Sequence, residues 1–248
     1  MHTLKGLIVL VAVICCATGL DLPPDFQKCK RSDNNVNECL KAAIQDALPK
    51  LKDGLPAFGF PKIQPLDIPS ITVGEGKGAV HVIQNFNDVK IYGIPLAVLD
   101  KVDAKLTDTS VAIDISATLK EVKIEAKYDF NGRILLLPIV GNGNSAVQFE
   151  NVKAQVHFGC KLITKKNKGY IDCNDVTIKL DPQKIVFNFD NLFNGDERLG
   201  TEMNRLLNDN WKEIWEDVKH GYEDSLSIII QDIGNKIIKK VPYDDLIP

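Results

Sequence analysis

From Asp196 to Lys240 the chain runs for about 45 residues without a proline, and its apolar side chains recur at helical spacing. Leu199, Met203, Leu206, Trp211, Ile214, Trp215, Val218, Tyr222, Leu226, Ile229, Ile233, Ile237 and Val241 mark a single stripe. At 1.5 Å per residue such a helix spans roughly 65–70 Å, against an average helix of ~11–12 residues. Gly221 and Gly234 weaken it locally, a bend is expected near His220-Gly221, and Pro242 stops it. A stripe of this length is unstable in water and dictates what the rest of the chain must do, which is to cover it.

The cover is supplied upstream. Between Ile71 and Phe189 the apolar period changes to two: Val111, Ile113 and Ile115; Val122, Ile124, Ala126 and Tyr128; Val152, Ala154, Val156, Phe158 and Cys160; Val176, Ile178 and Leu180; Ile185, Phe187 and Phe189. Asn131-Gly132 between two of these runs is a hairpin signal, and Lys165, Lys166 and Lys168 read as a solvated hairpin tip. Strands in direct succession, with no helical segment between them, imply an antiparallel sheet with one apolar face. Long antiparallel strands twist and curl. The pattern therefore predicts an α+β fold in which one elongated domain wraps a curved antiparallel sheet around a long C-terminal helix. A coiled coil is the rival reading of the stripe, and it leaves the sheet's apolar face uncovered.

Ahead of the strands, Asn34 and Asn35 offer N-cap oxygens for a helix from about Val36 to Lys52, with Leu40, Ala43, Ile44, Ala47, Leu48 and Leu51 on its apolar side. Pro49 is expected to kink its last turns and Gly54 to end it. Pro56, Pro61, Pro65 and Pro69 then impose an extended connection. At the N-terminus, Lys5 precedes an apolar run from Leu7 to Cys16 and the small residues Ala17-Thr18-Gly19. The run is half the roughly 20 residues that span a bilayer, so residues 1–19 are expected to be a secretory signal peptide and 20–248 the exported domain. No other apolar run of spanning length follows.

Composition narrows the function. With 44% hydrophobic and 25% charged residues and a formal net charge of −3, the chain can build a core and lacks the basic excess of a nucleic-acid binder. Four cysteines follow the leader: Cys29, Cys39, Cys160 and Cys173. In an oxidising compartment they allow three connectivities, of which the local pairs Cys29–Cys39 and Cys160–Cys173 are the simplest. Zinc is disfavoured because no CxxC spacing is present and His81, His157 and His220 are scattered. Asp172, Asp175 and Asp181 lack the glycine and distal glutamate of a calcium loop. No metal or cofactor is expected.

Catalytic signals are equally thin. Ser145 lacks the flanking glycine of a nucleophile elbow. Gly141-Asn142-Gly143-Asn144-Ser145-Ala146 fits a relaxed dinucleotide pattern, but a strand follows it where a helix should begin. No catalytic residue is assigned. The function classes left are a carrier of a small lipophilic molecule, an extracellular protein-binding factor with a filled core, and a secreted hydrolase.

The chain resembles the insect takeout and juvenile hormone binding protein family. The resemblance begins with Phe26-Gln27-Lys28-Cys29 and Cys39-Leu40, and continues through Pro65-Leu66-Asp67-Ile68-Pro69 and Tyr92-Gly93. It is most specific from Tyr128 to Ile139 with Gly141 and Gly143, and ends in Asn191 to Gly195 and Leu207 to Trp211. It implies secretion, an internal hydrophobic tunnel, a lipophilic ligand such as a terpenoid or a fatty-acyl-like molecule, and roles in circadian timing, feeding or chemosensation. Cys160 and Cys173 depart from the second cysteine pair of the moth hormone carriers, and the match is closer to the takeout branch. The residues expected to face a ligand are Ile113, Ile115, Val122, Ile124, Val156, Phe158, Phe187 and Phe189 on the strands and Trp211, Ile214 and Trp215 on the helix. A monomer with no nucleic-acid partner and no membrane span is expected.

Overall fold

A computed structural model describes residues 19–248; the expected leader lies outside the described residues, apart from Gly19. In chain order the elements are α1 (Val36–Lys50), β1 (Leu66–Val73), β2 (Val80–Val82), β3 (Gln84–Tyr92), β4 (Val98–Leu106), β5 (Ser110–Ile134), β6 (Leu137–Lys165), β7 (Lys168–Asp181), β8 (Lys184–Phe189), α2 (Glu197–Asp209), α3 (Trp211–Ile238) and α4 (Tyr243–Leu246). The spine is the hairpin of β5 and β6, 25 and 29 residues long and paired from Ser110–Lys161 to Ile134–Leu137. At ~3.3 Å per residue β5 spans roughly 80 Å, and this gives the domain its elongation. Along its other side β5 pairs in turn with β4, β3 and β2, and β1 extends the sheet beyond β3. At Asn151 (φ +48) β6 changes partner, pairing with β8 up to Glu150 and with β7 from Lys153.

Three local expectations are corrected. The hairpin turn is Leu135-Leu136, whereas Asn131 and Gly132 are paired inside β5. Gly132 serves a close approach instead: it faces Val82 of β2, and a Cβ there would collide with the His81 carbonyl oxygen. The helix from Asp196 to Lys240 is two helices, α2 and α3, separated at Asn210 (φ −111, ψ 19), whose Nδ2 and backbone N–H both turn back to the Leu206 carbonyl oxygen. Gly221 sits within α3, where a Cβ would lie 2.8 Å from Val73 Cγ1. At the glycine that reads as a bend, α3 thus lies directly against β1 with no room for a side chain. At α1, finally, Asn35 takes the N-cap position without a side-chain bond, and Asp33 Oδ1 accepts the Asn35 N–H at 2.9 Å.

Both disulfides are formed. Cys29–Cys39 ties the N-terminal arm to the first turn of α1, and Cys160–Cys173 joins register partners of β6 and β7. Lys166-Asn167 forms the tip between those two strands. Among the described residues no helix is long and apolar enough to cross a membrane.

The helices are fixed to the sheet through its open edges. An edge strand leaves N–H and C=O groups without a ladder partner, and polar side chains of the helices supply the missing partners. On β8, Asn204 of α2 accepts the Phe189 N–H at 2.9 Å and donates to its carbonyl at 2.9 Å; Asn208 does the same for Phe187 at 2.8 and 2.9 Å. Four residues of helix advance ~6 Å and two residues of strand ~6.6 Å, so this spacing matches without strain. On β7, α3 repeats the device: Glu223 accepts the Leu180 N–H, Ser227 that of Ile178, and Asn235 bonds both the N–H and the carbonyl of Cys173. On β4, Asn37 and Gln45 of α1 accept the Ala104 and Leu99 N–H groups. Asp217 of α3 accepts from the N–H groups of Lys77, Gly78 and Val80, fixing the loop before β2.

Replacing Asn208 with Ala leaves the Phe187 N–H and carbonyl unpaired under α2. The expected loss is about 1–3 kcal/mol of stability in urea unfolding, together with faster exchange of the Phe187 amide proton. A loss within about 0.5 kcal/mol, the range of an ordinary surface change, contradicts the pinning role.

Candidate functional site

Where the sheet, α1 and α3 enclose one another, the side chains do not fill the space. A chamber of about 380 Å³ remains, within the ~300–1,000 Å³ of small-molecule sites. It lies over cross-strand pairs of β5 and β6: Ile115 faces Val156, Ala117 faces Ala154, and Leu119 faces Val152. Two alanines opposite each other leave a hollow that branched neighbours on both sides frame. Ile44 and Leu48 of α1 close one side; Trp215, Tyr222, Leu226, Ile229 and Ile230 of α3 close the other. Its lining contains no charged side chain.

A second chamber of about 60 Å³ adjoins the first, under β1, β3, β8 and the first half of α3. The two share a wall of six residues, Ile91, Ile124, Phe149, Trp215, Tyr222 and Leu226. Aromatic contacts set that wall: Phe149 meets Trp215 edge to face at 5.7 Å between centroids, and Trp215 lies 6.0 Å from Tyr222. The smaller chamber carries the polar side chains Gln84, Ser145 and Tyr222. Ser145 donates its hydroxyl to the Ala126 carbonyl at 3.1 Å, and the Tyr222 hydroxyl donates to Gln84 Oε1 at 2.7 Å. Burial pushes the Tyr222 phenol well above its ordinary range, so it acts as a neutral donor.

Behind the smaller chamber, Phe189 stacks into a cluster with Tyr128 and Phe130. The Tyr128 hydroxyl donates to the Asp190 carbonyl. A wider concavity is open to solvent. It is an open trough of about 890 Å³ lined by charged residues such as Asp88, Lys90 and Lys127, with Lys127 and Asp88 paired at 2.8 Å. Charged side chains on a solvent-open surface make it a poor site for an apolar molecule.

Of the residues singled out from the sequence, Ile115, Val122, Ile124, Val156, Phe158 and Trp215 line the larger chamber. Ile124, Phe187, Phe189, Ile214 and Trp215 line the smaller one. Ile113 and Trp211 line neither. Ile113 faces Phe158 across the strands and packs in the cluster around Cys160 and Cys173, past the end of the hollow. Trp211 stands at the first turn of α3 with Lys184 over its ring at 5.7 Å. Ala117, which creates the hollow, carries no signal in the sequence, whereas Ile44 and Leu48 are legible on the apolar side of α1 although their partner is not. Gln84, a polar residue among inward-facing ones, is likewise unmarked in the sequence. His81, His157 and His220 lie on β2, β6 and α3, where His157 pairs with Asp114 at 2.7 Å and His220 with Glu223 at 3.4 Å.

Comparisons with known proteins agree on one family. The family model for haemolymph juvenile hormone binding protein matches residues 8–248. The circadian clock-controlled protein daywake of Drosophila melanogaster is 23% identical over 230 residues, covering 90% of this chain and 87% of that protein. Its Drosophila yakuba counterpart is 21% identical over 229 residues, with the same coverage of 90% and 87%. The crystal structure of Epiphyas postvittana Takeout 1 superposes with a TM-score of 0.79 at 25% identity, covering 89% of this chain and 99% of that one.

The Tyr128 phenol in the aromatic cluster behind the smaller chamber, together with the buried Tyr222 phenol, contributes to an alkaline limit on stability. Burial pushes the Tyr128 phenol up to about 12 from 10.0. Its folded value is raised, so the stability it supports is intact below pH 10.0. That stability falls as the unfolded chain ionises first, until the folded phenol also titrates near 12. Unfolding midpoints measured from pH 8 to pH 12 should drop above about pH 10, and Tyr128→Phe should flatten the drop. An unchanged slope in that variant assigns the alkaline limit elsewhere.

Proposed function

The chain belongs to the haemolymph juvenile hormone binding protein family, and on that premise we propose that it is an exported carrier whose chamber holds one small lipophilic molecule. The observation that carries the reading is the chamber of about 380 Å³ with no charged side chain in its lining. A ligand with about 15 apolar carbons gains roughly 12 kcal/mol at ~0.8 per buried CH₂. Association offsets about 4–15 kcal/mol of that, so at the low end of the cost about 8 kcal/mol remains, a micromolar affinity without a charged contact. A terpenoid or fatty-acyl-like molecule has the required size and polarity. Ile115, Val122, Ile124, Val156, Phe158 and Trp215 are the contacts we assign to it in the larger chamber, with Phe187, Phe189 and Ile214 at the far end.

Export is supported by the expected leader and by two disulfides, which persist in oxidising compartments. The clock control named in the two Drosophila relatives supports a link to biological rhythms. An unfilled chamber argues against a protein-binding factor with a solid core. A hydrolase would need convergent reactive groups at the chamber, whereas its lining is aliphatic and aromatic.

The test is titration of delipidated protein with a fluorescent terpenoid or fatty-acyl probe, in the native chain and in Ala117→Phe and Ala154→Phe. The native chain should bind at micromolar concentration or below. Each variant fills the hollow between the facing alanines and should weaken binding at least about tenfold with an unchanged circular dichroism spectrum. Absence of binding in the native chain refutes the carrier; equal binding in folded variants moves the site away from this chamber.

A further inference from the structure

The turn end of the β5–β6 hairpin is apolar where it meets solvent. Its turn is the pair Leu135-Leu136, followed by Leu137, which faces Ile134 across the strands. Leu136 is 92% exposed and Leu137 46%. Leu135 has φ +54, whereas Leu136 does not have a positive φ; that combination is the two-residue turn whose first central position favours glycine. A leucine there is strained, and its exposed neighbour adds nothing to the core. Local folding preference is contradicted twice at one place, and such an outlier points to a use outside the fold. None of the three leucines lines either chamber.

Behind the leucines the surface changes character. Arg133 stands two residues before Leu135, about 6.6 Å along the strand, and lies exposed between Pro138 of β6 and His81 of β2. Of the carboxylates beside it, Glu75 pairs with His81 at 4.0 Å, and Asp217 accepts from the N–H groups of Lys77, Gly78 and Val80. Arg133 and the exposed Lys77 side chain have no ion-pair partner among the described residues. We propose that this end of the hairpin docks on a phospholipid surface, with Leu136 and Leu137 among the acyl chains and Arg133 at the phosphates. The order of side chains along the hairpin is the order of a lipid leaflet. An interfacial apolar segment sinks roughly 5–10 Å, and at that depth the guanidinium one step behind it meets phosphate oxygens, which it binds through parallel N–H bonds. The tip is convex, so a protein partner would have to supply a shaped pocket, whereas a fluid lipid surface closes around it. Two inserted side chains give a weak, reversible attachment. The proposal goes beyond the carrier reading and does not depend on it.

The experiment is flotation of the mature chain with vesicles of phosphatidylcholine and phosphatidylserine in equal parts, for the native sequence and for Leu136→Asp and Arg133→Gln. The native chain should float with the vesicles. Leu136→Asp alters a side chain that already faces solvent, so it should keep the native circular dichroism and melting temperature while binding at least about tenfold more weakly. Arg133→Gln should weaken binding less and flatten its dependence on salt. Leu136→Cys labelled with an environment-sensitive dye should shift to the blue when vesicles are added and be quenched by nitroxides carried on the acyl chains. The same dye on Lys166→Cys, in the β6–β7 turn at the opposite end of β6, should stay in water. A native chain that does not float would overturn the proposal, as would equal flotation of Leu136→Asp or a Leu136→Cys dye that remains in water. Capture only by cell membranes, abolished when those membranes are treated with protease, would make the tip a protein contact and overturn it as well. Binding of a fluorescent terpenoid or fatty-acyl probe to the same variants, without vesicles, reads the chamber separately, so the carrier reading stands or falls on its own.

Discussion

The structure depends on hydrogen bonds between helix side chains and the open edge of β7. Glu223, Ser227 and Asn235 hold α3 along that edge through backbone groups of Leu180, Ile178 and Cys173. The contact is directional and polar, so the position of α3 is set by geometry at the edge rather than by how fully its apolar face is packed. A helix held only by hydrophobic contact would settle until the space beneath it closed, because interiors tend to crystal-like density. Here the edge bonds on one side and the close approach of Gly221 to Val73 on the other suspend α3 over the sheet. Where Ala117 faces Ala154 there is nothing tall enough to reach it.

An unfilled apolar space is costly, since its lining forfeits dispersion contacts that a filled core would have. The fold tolerates it because so much of its cohesion lies elsewhere. The paired length of β5 and β6, the amide clamps of Asn204 and Asn208 on β8, and the two disulfides are independent of the hollow. A molecule that fills the hollow restores the missing contacts and, by mass action, raises the stability of the folded chain. The structural weakness and the binding function are then the same feature seen with and without its occupant.

Much of this was legible in the sequence, for physical reasons that also mark the limits. Period-two runs and a proline-free period-3.6 stripe report backbone geometry directly, so the curved sheet and long helical segment could be read residue by residue. Gly132 was misread as a turn because its requirement is tertiary, the approach of β2, and no local pattern encodes a third strand. The break at Asn210 was invisible because an asparagine on the polar side of a stripe looks the same whether it solvates the helix or folds back onto Leu206. Faces were legible, but space was not. Ala117 and Ala154 become a hollow only once the register sets them opposite each other, and the positive φ of Asp88 with the register shift between Asn87 and Lys90 shifts the alternation that would have marked Gln84 as inward.

That the gap between α3 and the sheet takes up a lipophilic molecule is our proposal. It is tested most directly by crystals grown with a long-chain ester carrying a bromine on its tail, measured at the bromine absorption edge. One anomalous peak is expected inside the larger chamber, between Leu226 of α3 and the Ala117–Ala154 pair, with the backbone of α3 essentially unmoved. A peak only on the outer surface, or side chains closed over the gap in crystals saturated with the ester, would contradict it.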